Sequence, residues 1–590
     1  MAINFNKHQS FANYFSKDKL RPWLYYLSLD MAKGNVCLDV EQKIQDTVGE
    51  NISIDDLKNE LVGKPGAVLP FILNNGKLYM HRFFHYEQSL VMQIQALCTA
   101  EKDKSSNLLA LKEFINHQLF PESERSDDMD WQKIACLNAF LNNFNIISGG
   151  PGTGKTTTVS KLLLLLLKEN PNLKIKICAP TGKAAARLQE SLSKTKSNFK
   201  YIEIETAILD KVNGLTAETI HRTLGYISNS IYFKHNAERT LDADVLVVDE
   251  CSMIDISLFH KLFQAIDTQR TKVILLGDKN QLASVDAGSV FRDLCTGTVP
   301  LNIFSKERTQ LLNLFVAPEK QKLEAMHDAE NSEHPLFGHI IELKKSYRFN
   351  DEKGIGKLSR AVLNNDWKAI EPFFKNEDEQ ITFFENREDF EMLIEKAIAA
   401  LKVEHGGFIG TSSVETVMQK MNNSTVLCAN REGKHGVAGV NEKIQQVLFK
   451  NQNLDNPFQL IMVSQNQPVE EVYNGDIGVV LENKEGRRFV FFPNGALGQK
   501  KLSQAQIRSY EPAFAMTIHK SQGSEFNEVF IVLPDQKENF LLNRELLYTA
   551  ITRAKQKVYI LAQREIIQTI VQHSVQRVSG ITDHFLNLKS

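Results

Sequence analysis

A glycine-rich segment near residue 150 has the composition of a phosphate-binding loop. It reads Gly-Gly-Pro-Gly-Thr-Gly-Lys-Thr and fits the pattern G-x-x-x-x-G-K-[ST] between a predicted strand and a predicted helix. Its glycines let backbone N–H groups point at phosphate oxygens, its lysine reaches the β- and γ-phosphates, and its last threonine can hold Mg²⁺. The segment predicts an ATP and Mg²⁺ site formed by Gly149, Gly150, Pro151, Gly152, Thr153, Gly154, Lys155, Thr156 and Thr157.

Two carboxylates follow an apolar strand candidate further along the chain. The run Val245-Leu-Val-Val leads directly into Asp249 and Glu250. In a P-loop ATPase the first carboxylate lies in the Mg²⁺ shell, and the second can orient and polarise the attacking water. An apolar strand that ends in Asp-Glu is by itself a common loop entry. Because it follows a P-loop in the expected order, it predicts Asp249 as a metal ligand and Glu250 as a catalytic base.

Two glutamines lie where an amide could contact the nucleotide. Gln281 follows the strand candidate Lys272–Asp278, and a polar amide there could sense the γ-phosphate. Gln132 stands just before the P-loop strand, where its donor and acceptor could bind an adenine edge. A lone glutamine is more often a surface residue, so both interpretations depend on the neighbouring motifs.

The elements that must position these residues alternate regularly from Trp131 to about Cys295. Short β-rich apolar runs are separated by helical patterns, and this alternation predicts an α/β fold with a parallel sheet covered by helices on both faces. The strand candidates are Phe144–Ser148, Lys174–Ala179, Val245–Glu250 and Lys272–Asp278.

The rest of the chain suggests how this lobe is extended. A second strand-and-helix series starts near Ile340 and resumes at Ala513, and residues 305–335 are predicted to be a polar, helical insertion before it. We expect an N-terminal docking or scaffold domain over residues 1–110, a first motor lobe over 125–340 and a second over 341–590. Alternating apolar residues and the turn Asn474-Gly475 predict a small antiparallel barrel inserted at about 455–512.

Composition excludes some classes of protein. With 590 residues, 42% of them hydrophobic and 24% charged, the chain is predicted to be an ordinary globular protein of several domains. No apolar run approaches the roughly twenty residues of a membrane span, and no signal-peptide profile is present, so we expect a cytoplasmic protein without a membrane partner. The seven cysteines form no C-x-x-C pair, which argues against a zinc ribbon or iron–sulfur cluster. A net charge of -2 leaves DNA binding open.

The blocks around the ATP motif are more specific than the motif itself. Together with the P-loop and the two carboxylates, and in this order, they resemble the motif set of the superfamily-one helicases. These blocks are Ala179–Arg187, Thr219–Gly225, Leu343–Phe349, Phe514–Phe526 and Leu547–Lys555.

The helicase resemblance implies two RecA-like lobes that sandwich ATP while single-stranded DNA moves along their top. Arg348, expected after a strand of the second lobe, and Arg553, expected on the helical segment Arg544–Lys555, match arginines that reach the γ-phosphate across the cleft. Gln522 and Glu525 match a motif that joins the nucleotide and DNA sites. The positions expected near the DNA strand are Pro180, Thr181, His221, Thr517 and His519.

Within the superfamily the chain is most similar to the RecD family. The similarity includes the segments Gly34–Asp39, Val426–Gly433 and Asn474–Gly478. It implies 5′ to 3′ translocation on DNA, a heterotrimer with RecB-like and RecC-like subunits, and processing of double-strand breaks for recombination. The stand-alone RecD form carries Gly-rich helix–hairpin–helix repeats before the motor, and no such repeat is seen here. This favours the complex-bound form.

Three alternatives remain open from the sequence. The chain could be a helicase that works without partners, which would show in unassisted unwinding. It could be a nucleotide-regulated binding subunit with an inactive motor, although every motor residue named above is present. It could itself be the nuclease, but short strings such as Asp351-Glu-Lys353 lack an organised acidic cluster, so we expect any nuclease site on a partner subunit.

Overall fold

Two α/β lobes with parallel sheets form the centre of the molecule, flanked by an N-terminal mixed sheet and a separate antiparallel sheet. The computed structural model describes residues 6–47, 52–121, 128–194, 206–227, 230–297, 299–316, 322–324, 333–386, 388–409, 411, 413–450, 458–467, 469–483, 485–493, 499–535 and 541–588. Within these ranges no helix is long and apolar enough to cross a membrane.

The first lobe is built on a six-stranded, all-parallel sheet. Alternate strand residues join different hydrophobic clusters: Leu246 lies in one and Val247 in another, so both faces of the sheet are covered. The four predicted strands are confirmed, with small shifts at their ends. In sheet order the strands are Ile340–Leu343, Phe144–Gly149, Lys272–Gly277, Val245–Val248, Ile175–Ala179 and Ala217–Thr219.

The helix that follows the P-loop, Lys155–Glu169, is fixed by its apolar run Leu162–Leu167. All six leucines are buried. Burying each leucine stabilises the fold by about 1.5–3 kcal/mol relative to leaving it exposed, so the helix that begins at the P-loop is firmly packed in the first lobe. The other helices of this lobe are Trp131–Leu141, Gly182–Ser193, Thr206–Asn213, Ile220–Leu224, Ile256–Gln264, Val290–Thr296 and Lys306–Asn313.

The second lobe has a five-stranded sheet, also all parallel. In sheet order its strands are Ile381–Phe384, Ala554–Leu561, Phe526–Val532, Ser424–Cys428 and Ala515–Thr517. Its helices are Gly354–Leu363, Trp367–Ile370, Asp389–Leu401, Val414–Lys420, Val437–Lys450, Arg544–Ile551 and Arg564–Gln572.

The boundary between the lobes was predicted at residue 341, but the strand Ile340–Leu343 shows that it lies further along the chain. This strand belongs to the first sheet, where Ile340 lies opposite Ile146 and Leu343 opposite Gly149 of the P-loop strand. A local pattern cannot show this pairing, because the partner strand is distant in sequence. The core of the second lobe begins only at the helix Gly354–Leu363.

The N-terminal segment carries a four-stranded mixed sheet but does not have a wholly separate core. Its long helix, His81–Thr99, packs on the helix Ile256–Gln264, and Phe84 shares a hydrophobic cluster with Phe259 of the first lobe. Removing residues 1–110 would therefore expose the first-lobe core. The strands, in sheet order, are Cys37–Asp39, Lys77–Met80, Phe71–Asn74 and Val62–Gly63, and the other helices are Lys7–Phe15, Arg21–Ala32, Val40–Asp46, Ser105–Ala110 and Phe114–Leu119.

The last residues of the chain return from the second lobe to the N-terminal segment. The backbone N–H of Val36 donates to the carbonyl of Val578 at 2.9 Å, and Lys77 pairs with Asp583 at 2.7 Å. The final helix, Ile581–Asn587, packs against His81–Thr99. The range 341–590, predicted as one lobe, thus ends on a different part of the molecule.

The sheet predicted as a small barrel is antiparallel and has five strands. Its two edge strands do not pair with each other within the described residues, so a separate antiparallel sheet is established and a closed barrel stays a prediction. In sheet order the strands are Gln499–Ser503, Arg488–Pro493, Ile477–Glu482, Phe458–Val463 and Tyr510–Pro512.

The predicted insertion at 305–335 contains the helix Lys306–Asn313. Arg308 donates to the side-chain oxygen of Asn142 at 2.7 Å, and Leu312 is buried in a first-lobe cluster. The helical prediction is confirmed over this range. Residues 317–321 and 325–332 of the insertion lie outside the described residues.

Candidate active site between the lobes

A cleft of about 820 Å³ lies between the two lobes. Gly149 and Thr153 are not among the residues that line it, but both contribute backbone carbonyls to the hydrogen bonds of the P-loop. The predicted ATP-site residues that line the cleft are Gln132, Gly150, Pro151, Gly152, Gly154, Lys155, Thr156, Thr157, Asp249, Glu250, Gln281, Arg348 and Arg553.

The P-loop has the backbone conformation that its glycines allow. Gly152 and Gly154 have φ values of 79° and 83°, in the left-handed region that glycine adopts without strain. The Lys155 ammonium donates to the carbonyls of Gly149 at 2.6 Å and Gly150 at 3.3 Å, so it lies over the loop rather than in a hydrophobic core. The loop opens onto the N-terminus of a long helix, and this arrangement suits a polyphosphate.

The two carboxylates stand at the end of the strand Val245–Val248 and line the same cleft. Glu250 has a φ of 53°, which turns the chain sharply at this point, and its N–H donates to the Asp249 carboxylate at 2.8 Å. Burial and the adjacent Glu250 charge raise the pKa of Asp249, while Lys155 opposes that shift. A cation at Asp249 would favour its charged form.

Thr156 and Asp249, the two predicted Mg²⁺ ligands, both line the cleft. In the described ranges no group of three or more His, Cys, Asp or Glu residues could hold a metal ion. Mg²⁺ usually takes one or two protein ligands and completes its octahedral shell with water and substrate phosphates. The residues present therefore fit a metal ion that arrives with a nucleotide.

Arg553 approaches the cleft from the second lobe. The helix predicted over Arg544–Lys555 ends at Ile551, and Ala554 already begins the next strand, so Arg553 lies in the tight connection between them. Only 2% of the residue is exposed, and its guanidinium donates to the carbonyls of Thr549 and Ser524, both at 3.3 Å. Burial lowers the pKa of Arg553, but the guanidinium stays charged at neutral pH.

Arg348 lines the cleft from the side of the P-loop, so its predicted place in the second lobe is wrong. The strand before it belongs to the first sheet, and its neighbours bind the loop directly. Tyr347 N–H donates to the Gly152 carbonyl at 2.8 Å, and the Ser346 hydroxyl donates to the Pro151 carbonyl at 3.3 Å. Burial and two nearby arginines lower the Arg348 pKa to about 10. Its buried Nη1 has no hydrogen-bond partner within the described residues.

Glu525 joins three cations at the edge of the cleft. Its carboxylate pairs with Arg187 and Arg348, and with Lys555 at 3.4 Å. Arg187 and Arg348 come from the first-lobe side, whereas Glu525 and Lys555 belong to the second lobe. Arg187, Arg348 and Glu525 of this cluster all line the cleft.

Both predicted glutamines are anchored through their amide nitrogens. Gln132 donates to the Thr153 carbonyl at 2.9 Å, which fixes it beside the P-loop, and its contact with adenine stays a prediction. Gln281 is 5% exposed and donates to the Asp278 carboxylate at 3.1 Å. Its buried Oε1 has no hydrogen-bond partner in the described part of the chain.

The predicted DNA-contact residues of the first lobe follow two of its strands. Pro180 and Thr181 come directly after Ile175–Ala179, and the Thr181 hydroxyl accepts the N–H of Ala184 as the cap of the next helix. His221 lies in the short helix Ile220–Leu224 with its ring 5.6 Å from that of Phe233. Burial lowers the His221 pKa, which favours a neutral ring.

The corresponding residues of the second lobe lie together after the strand Ala515–Thr517. The Thr517 hydroxyl accepts the N–H of Lys520 at 3.3 Å, and His519 starts a single helical turn. Burial and Arg577 lower the pKa of His519. The two sets therefore lie at strand ends in different lobes, and movement of one lobe relative to the other would change their separation.

Comparison with known proteins identifies the family. A family model described as "AAA domain" matches residues 132–287, and one described as "UvrD-like helicase C-terminal domain" matches residues 512–561. The RecBCD enzyme subunit RecD of Haemophilus influenzae is 34% identical, with 92% of this chain and 86% of that protein aligned. The RecD subunit of Buchnera aphidicola (Acyrthosiphon pisum) is 30% identical over 90% of this chain and 86% of its own. The chain belongs to the RecD family.

More distant likenesses extend beyond the RecD subunits. The ATP-dependent RecD2 DNA helicase of Deinococcus radiodurans is 25% identical, with 82% of this chain and 55% of that protein aligned. A Bacteroides Pif1 helicase crystallised with ADP-AlF3 and single-stranded DNA aligns with 78% of this chain and 96% of its own, at 17% identity and a TM-score of 0.37.

Three residues without a predicted role in the ATP site link the two lobes of this RecD-family chain: Arg187, which lines the cleft, and Asp278 and Tyr548, which hydrogen-bond to each other. Asp278 directly follows the first-lobe strand Lys272–Gly277, Tyr548 lies on a second-lobe helix, and Arg187 pairs with Glu525. Arg187 and Tyr548 lie inside two of the helicase-like blocks, Ala179–Arg187 and Leu547–Lys555, and this position is the signal that could have singled them out. Their partners come from the opposite lobe, and sequence spacing does not reveal such contacts.

Proposed function

We propose that this chain is an ATP-dependent DNA helicase that acts as the RecD subunit of a RecBCD-type helicase–nuclease complex in the cytoplasm. The observation that carries the proposal is the cleft in which the P-loop and two carboxylates of the first lobe face Arg553 of the second. Membership of the RecD family supports it, because the curated relatives are named as RecBCD subunits. The two lobes then act as RecA-like halves of one motor.

In the proposed reaction, ATP binds with its phosphates along the P-loop. Lys155 neutralises the β- and γ-phosphate oxygens, and Glu250 orients and polarises the attacking water. Arg553 and Arg348 stabilise the negative charge that spreads over the γ-phosphoryl oxygens in the transition state. Bound through Thr156 and Asp249, Mg²⁺ would supply further charge stabilisation at the phosphates.

Coupling to DNA follows from the position of Arg553 on the second lobe. ATP draws Arg553 towards the P-loop, and loss of the γ-phosphate releases it, so each turnover closes and opens the cleft. We propose that Thr181 and His221 hold the strand on one lobe, and that Thr517 and His519 hold it on the other, with Pro180 shaping the first contact. An inactive motor is disfavoured because the residues needed for turnover line one cleft.

Unwinding is expected to require a 5′ single-stranded overhang, as family membership implies. The test compares matched partial duplexes of the same sequence with a 5′ tail, a 3′ tail or no tail, and follows strand separation in the presence of ATP. The Lys155→Ala variant serves as the motor-dead control. Opening of 3′-tailed substrates alone would contradict the polarity while leaving the motor assignment intact.

Assembly with RecB-like and RecC-like subunits is expected when the tagged full-length chain is recovered from its native cell. The three subunits should elute together in equal amounts. The Arg553→Lys variant is the matched control, because its altered side chain is buried in the cleft and should not affect assembly. A chain that elutes alone and unwinds DNA unaided would instead be a stand-alone helicase.

A further inference from the structure

Tyr548 crosses from the second lobe to the nucleotide side of the first. It lies on the helix Arg544–Ile551, is 5% exposed, and its hydroxyl donates to the Asp278 carboxylate at 3.0 Å. A Cβ placed on Gly150 of the P-loop would be 2.9 Å from the same hydroxyl oxygen. The Tyr548 hydroxyl thus lies beside both Asp278 and Gly150 of the P-loop.

Asp278 receives the Tyr548 hydroxyl on the same oxygen that holds Gln281. Its Oδ2 accepts from the Gln281 amide at 3.1 Å as well as from Tyr548, while its Oδ1 accepts the N–H of Asn280 at 3.0 Å. Asp278 is 1% exposed, so bulk water is poorly placed to replace either donor. The amide orientation of Gln281 therefore depends on a carboxylate that the second lobe also binds.

The protonation states fix the direction of this hydrogen bond. Burial and the Asp278 charge raise the pKa of Tyr548 well above its usual value, so the phenol remains a donor. Burial also raises the pKa of Asp278, but Lys155 and its hydrogen-bond donors oppose that shift. A carboxylate that accepts several such bonds is stabilised in its charged form.

Two further hydrogen bonds fix the backbone of Leu282, the residue after Gln281. The Leu282 N–H donates to the Thr549 hydroxyl at 3.1 Å, and the Leu282 carbonyl accepts from the Gln522 amide at 3.0 Å. Both Thr549 and Gln522 belong to the second lobe. The second lobe therefore holds the loop that carries Gln281 in two ways. It hydrogen-bonds to the backbone of Leu282, and through Asp278 it is linked to the Gln281 side chain.

We propose that Tyr548 is a positioning residue for ATP hydrolysis: through Asp278 it orients the Gln281 amide, leaving Gln281 Oε1 directed to the nucleotide cleft only when the second lobe is closed. This proposal rests on the ATPase function proposed above. It explains how Gln281, a first-lobe residue that lines the cleft and whose buried Oε1 has no hydrogen-bond partner among the described residues, can respond to the position of the other lobe. Opening the cleft withdraws Tyr548 and leaves Gln281 less well oriented.

The test is a double-mutant cycle on the full-length chain. Tyr548→Phe removes only the hydroxyl and is expected to lower the DNA-stimulated kcat about tenfold, as for loss of one hydrogen bond to a charged group, with the KM for ATP unchanged. In a Gln281→Ala background the same substitution should lower kcat less than about twofold, because residues that act through one another are not additive.

Tyr559→Phe is the matched control. This tyrosine is buried in the second-lobe sheet, where it stacks on Phe530 at 4.6 Å, and its kcat should stay within about twofold of wild type. Asp278→Asn gives an independent measurement if Tyr548→Phe shows no cooperative melting transition. It should also lower kcat without changing KM.

The outcomes separate the two proposals. A Tyr548→Phe or Asp278→Asn variant that turns over ATP at the wild-type rate overturns the positioning role alone. A loss for Tyr548→Phe that repeats in full in the Gln281→Ala background also overturns it, because the effect would then be structural. A well-folded wild-type chain without ATP turnover overturns the ATPase function and the positioning role together.

Discussion

Replacing Lys155 with alanine is expected to reduce DNA-stimulated ATP turnover by at least roughly 100-fold, the cost of removing one major electrostatic contact from a transition state. The fold should survive, because in the described part of the chain the hydrogen bonds of the ammonium go to the carbonyls of Gly149 and Gly150 in the P-loop. The helix behind it is held by its buried leucines instead. Single-stranded DNA affinity should stay close to wild type, since the proposed DNA contacts lie elsewhere.

Steady-state turnover at saturating DNA, an oligonucleotide titration and a thermal melt measure the three quantities. Lys168→Ala is the matched control, because Lys168 lies in the last turn of the same helix, away from the cleft. It should retain normal turnover. Near-normal turnover in Lys155→Ala would contradict the assignment of the ATP site, whereas loss of the melting transition would assign Lys155 a structural role.

The parts of this site that sequence predicts are those whose signal is local. The P-loop and the two carboxylates are each preceded by an apolar strand, and both signals are contained within a few neighbouring residues. The four first-lobe strands could be predicted because buried parallel strands are apolar on both faces. The structure brings the strand ends of this lobe to one cleft, as the chemistry requires.

The parts that sequence misplaces depend on long-range pairing. Arg348 was expected on the second lobe because the strand Ile340–Leu343 precedes it, yet that strand pairs with the P-loop strand of the first sheet. In the same way, Phe84 packs with the first lobe although it lies in a segment predicted to be a separate domain. An apolar pattern predicts that a strand or helix is buried, but it does not predict which element packs against it.

This correction changes what the two arginines can do. Arg348 is attached to the P-loop through its neighbours Ser346 and Tyr347, so we expect it to stay beside the loop if the lobes separate. Arg553 moves with the second lobe. We therefore propose Arg553 as the residue that makes turnover sensitive to closure, and Arg348 as a fixed charge shared with Glu525.

Replacing Arg553 with lysine is expected to lower turnover roughly 100-fold while changing ATP affinity little. Lysine keeps the charge but not the planar fork, and it lacks the reach to donate at once to the Thr549 and Ser524 carbonyls and to a phosphate. Single-stranded DNA affinity should barely change. Arg564→Lys, on the outer face of the same lobe where Arg564 pairs with Glu385 at 2.6 Å, is the control for the substitution itself.

Thr517→Ala and His519→Ala should give the opposite pattern. Each should weaken oligonucleotide binding and the DNA stimulation of turnover, while basal ATP affinity stays unchanged, because both residues follow a second-lobe strand and neither lines the nucleotide cleft. Paired nucleotide and oligonucleotide titrations on each variant, with turnover measured alongside, separate the two classes. If Arg553→Lys loses DNA affinity while turnover at saturating DNA stays normal, Arg553 contacts the DNA backbone and its assignment across the cleft is wrong.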